Sequence, residues 1–341
     1  MARFPLLIFC LLCMSSCMSK AASHDTGLVA ASALDETAVR DAILEQVQSA
    51  VAARDFARLS AMEADFRASR ARTPSGISKL GVVHAGLQSY LAEGLQPEDG
   101  CEYRDAQFVR DWAASFPHNP APVITDAALL LAQGWCFRGV GYADTVAHDA
   151  WPKFERGAAA AAETLRKHRK MASADPEYYA VMLDVMRALS ASKADFHEVI
   201  DEATIRDPTY DRTYFNAAWY YLPQWGGSYE EVEAFARYAA ERTRASDGTG
   251  YYARVFWWLE DCGCQTIEKA ADWSTMKQGL RDIYNRYPLA WNGKYAAELA
   301  CRHGDVEEGR RFYRAIHPEA VGEGDFAALF ASCDKAAGTA G

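Results

Sequence analysis

Residues 175–210 read DPEYYAVMLDVMRALSASKADFHEVIDEATIRDPTY, and the two ends of this stretch carry the same punctuation. Asp175, Pro176, Glu177 and Tyr178 return thirty-two residues later as Asp207, Pro208, Thr209 and Tyr210, and Tyr287 and Pro288 ahead of Trp291 form a weaker copy. Proline at such a point stops the helix before it and suits the first turn of the next one. Within the unit, Ala194, Asp195 and Phe196 supply a small residue, a cap and an apolar staple, a combination that opens a second helix. Arg54, Asp55 and Phe56, then Gly227, Ser228 and Tyr229, then Gly304, Asp305 and Val306 repeat it. Units of about thirty-two to forty residues, each a helix, a turn and a helix, predict stacked helical hairpins.

The flanking sequence agrees with an all-α body. Val39, Ile43, Val47 and Val51 stand four apart, and Phe56, Leu59, Met62 and Phe66 follow after the break, so two helices joined by a short turn are expected. The aromatic and β-branched cluster from Tyr251 to Leu259 fits a buried helix through Val255, Trp258 and Leu259. Pro117 to Pro122 reads as a turn between helices near 101–116 and 123–136.

The last unit resembles the tetratricopeptide-repeat superfamily, with Ala297 and Ala300 on its first helix, Gly304, Asp305 and Val306 at the turn, and Gly309, Tyr313 and Ile316 after it. It is a degenerate match, because the Trp, Leu, Gly, Tyr signature of the first helix is incomplete. A second resemblance covers about Trp112 to Arg254. Gly134, Trp135, Cys136, Phe137, Arg138 and Gly139, then Gly141, Tyr142, Ala143 and Asp144 with Trp151 and Phe154, then Leu222, Pro223, Gln224, Trp225, Gly226 and Gly227, are similar to a bacterial domain family of unknown function carrying an LPxWGG motif. Both resemblances imply an α-solenoid over residues 35–341, and neither implies an activity.

The N-terminus bears on location. Arg3 is followed by an uncharged apolar run from Phe4 to Met14, too short to span a bilayer and of the length of a secretory h-region. Met14, Ser15, Ser16 and Cys17 resemble the bacterial lipobox, with Met14 where Leu is usual. That resemblance implies a signal peptide over residues 1–16, lipidation of Cys17, and a tether of small and polar residues from 17 to 34. Ser19, Lys20 and Ala21 offer ordinary signal peptidase an alternative cut, which would give a soluble periplasmic protein. Met18 after Cys17, in place of Asp, resembles outer-membrane sorting.

Composition narrows the kind of work. The 341 residues hold 36 Lys and Arg against 46 Asp and Glu, a net charge of -10, with the basic residues scattered, so nucleic acid is not an expected partner. Nine Trp and seventeen Tyr either fill a helical core or line a recognition surface. No nucleophile elbow, phosphate loop, dinucleotide fingerprint or complete metal motif is present, and no cofactor is implied.

Six cysteines follow Cys17, and an even count in an exported chain favours disulfides. Cys101 and Cys136 flank a helical hairpin and are expected to pair, closing a loop worth about 3 kcal/mol. Cys301 bonds either one of Cys262 and Cys264, or Cys333, leaving Cys262 and Cys264 to each other in a strained ring suited to redox exchange. The order Cys262, Cys264, Cys301, His303 is also similar to SWIM-type zinc fingers, which implies a zinc site as a third possibility. No histidine sits where a triad would need one.

Trp219, Tyr220, Tyr221 and Trp225 are candidates to stack on a sugar or clamp a peptide, or else wedge between hairpins beside the Gly226–Gly227 turn. Arg138 and Asp144 are candidates to bind an anionic group or to bridge helices. The expected function is an exported lipoprotein whose helical body binds or scaffolds another polypeptide at the cell envelope without catalysis. The alternative is an envelope enzyme acting on cell-wall sugars near Trp219 to Trp225, with carboxylates drawn from Glu230, Glu231 and Glu233.

Overall fold

A computed structural model describes residues 34–103, 105–139, 141–260, 267–316 and 333. The signal-like segment, Cys17, the tether up to residue 33, Cys262 and Cys264 lie outside the described residues.

The described chain is all-α, with no strand and a single isolated bridge between Arg72 and Ser78. The first five helices are α1 (Glu36–Ala52), α2 (Phe56–Ser69), α3 (Lys79–Ala92), α4 (Ala106–Ser115) and α5 (Pro120–Arg138). There follow α6 (Trp151–Ala172), α7 (Glu177–Ala188), α8 (Lys193–Arg206), α9 (Asp211–Tyr220) and α10 (Tyr229–Asp247). The last four are α11 (Gly250–Leu259), α12 (Trp273–Arg286), α13 (Ala290–Arg302) and α14 (Val306–Ala315). No described helix is long and apolar enough to cross a membrane.

Helices adjacent in sequence are mostly adjacent in space, with α5 on α6, α7 on α8 and α9, α11 on α9, α10 and α12, and α13 on α14. The α5–α6 crossing is tight because a Cβ on Gly157 would press on the Leu130 carbonyl and the backbone of Gly134. One large apolar core runs from Leu183 through Phe196, Tyr214, Phe235, Tyr252 and Leu280 to Phe312, and two smaller ones lie under α5–α7 and α1–α4.

Several caps stand where the sequence places them. Asp55 accepts from the Arg58 N–H, Ser228 from the Glu231 N–H and Asp305 from the Glu308 N–H, satisfying helix-end donors. Four expectations are corrected. The cap of α8 is Ser192 and not Asp195, since the Ser192 Oγ accepts from the Asp195 N–H while donating to its carboxylate. Helix α5 begins at Pro120, so Pro120 and Pro122 occupy its first turn, where a missing N–H costs nothing. Helix α4 begins only at Ala106, after Cys101 in a left-handed turn. On α11, Val255 and Leu259 are buried but Trp258 faces outward.

Cys101 is bonded to Cys136, with Cα atoms 5.9 Å apart, and Cys301 to Cys333, with Cα atoms 4.7 Å apart. Cys301 is therefore committed to Cys333, and the four-ligand zinc arrangement with Cys262, Cys264 and His303 loses a member. His303 stacks on the Trp273 ring at 4.5 Å.

Candidate functional site

The stretch from Arg70 to Ala92 is the feature that organises the site. It leaves α2 through Arg70 in a left-handed conformation, runs without regular structure to Ser78, and continues as α3. Along this path it meets the N-terminal ends of four later helices in reverse chain order. The Ser75 carbonyl accepts from Asn292 of α13 at 3.3 Å and from Arg254 of α11 at 2.7 Å. The Ser78 N–H donates to Asp211 at the start of α9 at 2.7 Å, and Arg72 donates to the Thr209 carbonyl just before it. Gln88, near the far end of α3, donates to Glu177 at the start of α7 at 2.8 Å. Glu177 and Asp211 sit in the first turn of α7 and α9, where free N–H groups favour carboxylates.

The seam so formed is polar and buried. Glu36, Glu63, His84, Asp175, Glu177, Asp211, Arg254 and Asn292 are all buried. Glu177 receives both Nε and Nη2 of Arg212 at 2.8 Å, together with the Tyr210 hydroxyl at 2.7 Å. Burial works against the Arg212 charge, yet Glu177 beside it holds the guanidinium pKa above its ordinary value. Burial also raises Asp211, and Arg72 and the Ser78 N–H offset only part of that. Further along, Arg67 bonds both Glu63 and Asp175. Burial, with Asp175 alongside, pushes the Glu63 carboxyl up to about 10. Burial disfavours the Asp175 charge as well, but His84, Glu63 and the Glu177 N–H together hold it below its ordinary value.

Where the seam meets α11 and α13 it leaves a cavity of about 360 Å³. One wall is the Arg70–Ala92 segment, through Ile77, Gly81 and Val82; the other is Phe215 of α9, Trp257 and Trp258 of α11 and Trp291 of α13. Phe215 stacks on Trp258 at 4.8 Å and Trp257 on Tyr295 at 3.8 Å, which fixes these ring planes. Trp258 and Trp291 stand 40% and 50% exposed, large values for tryptophan in a chain whose other rings mostly fill cores. Arg40, Arg212 and Arg254 also line the cavity. Arg254 is only 3% exposed, and its Nε has no hydrogen-bond partner among the described residues. A cavity with aromatic walls and a buried guanidinium suits an apolar or aromatic side chain next to an oxygen acceptor.

Comparison with protein-family models, curated proteins and solved structures gave no match.

The residues singled out from sequence fare differently. Tyr220 and Tyr221 are buried core rings, stacked on Phe196 at 3.9 Å and on Phe235 at 4.8 Å, and Trp219 packs partly buried against the same core. Trp225 meets Trp135 edge-on at 5.8 Å, with the Arg187 guanidinium 4.6 Å from its ring. Arg138 lies 5.1 Å from Trp135 and 5.0 Å from Trp151, and donates to the carbonyls of Gly139 and Gly141. The segments around Trp135, Trp151 and Trp225 thus converge on one ladder of alternating rings and guanidiniums, a packing device. Gly226 is left-handed at φ +82° and a side chain on Gly227 would collide with the Tyr221 backbone, so the LPxWGG turn serves close packing. Asp144 is exposed in a single turn at 143–145.

Glu231 pairs with Lys193, while Glu233 bonds the Tyr252 hydroxyl and Arg237. These contacts take both carboxylates into helix-to-helix work. Sequence reasoning missed the tryptophan cavity and the buried seam. The nearest signal for the first was the aromatic doublet Trp257–Trp258, but Tyr220–Tyr221 and Tyr251–Tyr252 are doublets with both rings buried, so the doublet alone does not mark a cavity.

Proposed function

We propose that this protein is an exported lipoprotein, held at the periplasmic side of a bacterial membrane through Cys17, whose tetratricopeptide-like body binds a partner polypeptide. The observation that carries the binding role is the cavity rimmed by Trp258 and Trp291 over the buried Arg254. Exposed tryptophan beside arginine is the composition of binding hot spots, and burying one such ring contributes enough to dominate an interface. The partner presents an apolar or aromatic side chain to Phe215, Trp257 and Trp258, and a carboxylate or carbonyl oxygen to Arg254. The net charge of -10 supports local contact over long-range attraction for an acidic partner segment. Support for export comes from the uncharged run Phe4 to Met14 and the lipobox-like residues that end it.

A photo-crosslinking amino acid placed at position 291, and separately at the exposed Ile205 of α8, tests the surface in cells producing the full chain. A discrete polypeptide adduct from position 291 alone is the expected result. No adduct at 291, or the same adducts from both positions, overturns the assignment. The intact mass of the same protein reports the anchor, as a diacylglycerol-sized increment on a chain beginning at Cys17.

A further inference from the structure

We propose that Glu63, His84 and Asp175 form a binding site for a divalent transition-metal ion of the zinc class, which ties α2, α3 and the turn before α7 together. The three residues come from segments far apart in sequence, and all three are fully buried. One ligand atom from each lies within 4.8 Å of the other two. His84 Nε2 is 3.5 Å from Asp175 Oδ2 and 4.0 Å from Glu63 Oε1.

The hydrogen-bond accounting is what points to an ion. Asp175 Oδ1 accepts the Glu177 N–H at 2.8 Å, and Arg67 Nη1 bonds Glu63 Oε1 and Asp175 Oδ2. Glu63 Oε2 and both ring nitrogens of His84 have no hydrogen-bond partner among the described residues. Three such buried atoms close together call for a partner, since an unsatisfied buried polar group is costly. A dication coordinated by Glu63, His84 and Asp175 would give one His84 ring nitrogen and the Glu63 carboxylate the partner they lack.

The donor set selects the class of ion. One imidazole nitrogen with two carboxylates suits zinc and its neighbours, whereas calcium and magnesium take nearly all-oxygen shells of six or more. At zinc–ligand distances of about 2.0–2.2 Å, a tetrahedral shell has ligand-to-ligand edges of roughly 3.4 Å, close to the 3.5 Å between His84 and Asp175. Arg67 then acts on the carboxylates from outside the shell, orienting them. Full burial keeps substrates away, so the role is to hold the Arg70–Ala92 segment against the helical array.

The test titrates the chelator-stripped full chain with Zn²⁺ and, separately, with Co²⁺. The proteins compared are wild type, Glu63→Gln, His84→Gln and the Cys262→Ser, Cys264→Ser double variant. The expected result is one retained equivalent per chain in wild type and in the cysteine variant, and visible Co²⁺ bands without thiolate charge transfer. Affinity falls about 100-fold or more in Glu63→Gln and His84→Gln, and zinc raises the melting temperature of wild type but not of these two. Wild type alone decides if the variants fold poorly: failure to retain a stoichiometric ion overturns the proposal and leaves a cluster balanced by a proton. Retention unchanged in both Glu63→Gln and His84→Gln, or lost in the cysteine variant, overturns it equally.

Discussion

The interior of the helical array and the seam beneath it are held by opposite chemistry. Between Phe196 and Phe312 the contacts are apolar and aromatic, made mostly by helices that follow one another in the chain. Where the Arg70–Ala92 segment meets α7, α9, α11 and α13, hydrogen bonds join residues 89 to 217 positions apart, from Gln88–Glu177 to Ser75–Asn292. Apolar burial is tolerant of small shifts and builds the hairpins; buried charge is intolerant and fixes one register of the segment on the array. The seam is thus where specificity resides, and the tryptophan cavity is shaped by it, because one of its walls is the segment itself.

That contrast can be broken in graded steps. Glu177→Ala leaves Arg212 buried without its bidentate partner and is expected to cost about 3–5 kcal/mol, read by chemical denaturation. If the seam works as argued, a Glu177→Met, Arg212→Leu double variant loses less than Glu177→Ala, because no charge is stranded. A double variant worse than the single change by the full second cost would place the seam on the same footing as the core. Within the array, Leu280→Ala removes a buried side chain and is expected to cost about 3 kcal/mol, with no second truncation restoring it.

The smallest effect belongs to the array's edge, where Asp305 caps α14 and receives Trp273 Nε1 and Lys277 Nζ at 2.9 Å each. Asp305→Ala should cost about 1 kcal/mol. Partial burial opposes the Asp305 charge, but Lys277, Trp273 and the Glu308 N–H outweigh it and hold the carboxyl below its ordinary value. Its folded pKa is depressed, so its contribution is present above the ordinary carboxylate range and is lost as the pH falls below it. Asp305→Asn should flatten the acid limb of the stability profile; an unchanged limb would contradict the hydrogen-bonded picture of this cap.

What was legible in the sequence was local. The four-residue steps of α1 and the caps Asp55, Ser228 and Asp305 are read from neighbours within one turn, and the structure places each as read. Ser192 was misplaced as Asp195 because both residues suit a cap, and only the reciprocal bond between them shows which comes first. The pairing of Cys101 with Cys136 follows from a hairpin between them, whereas Cys301 had several partners in reach. The seam was invisible for a physical reason: Glu63, His84, Glu177 and Asp211 are polar residues on helices or their ends, and solvent exposure is their ordinary fate. Their burial depends on partners well outside their own helical turn, from Tyr210 beside Glu177, 33 residues away, to Ser78 beside Asp211, 133 residues away. The aromatic run at Trp219 to Trp225 attracted attention by density, but density of rings is also what a helical core requires.

The most direct test of the binding reading is calorimetric titration of the full chain with peptides selected on it from a random library. The account predicts enrichment of an aromatic or large apolar residue beside Asp, Glu or a free C-terminus. It also predicts that Trp258→Ala with Trp291→Ala weakens binding by about 10-fold or more while leaving the helical spectrum unchanged. Selected peptides that bind wild type and the double variant equally would contradict it.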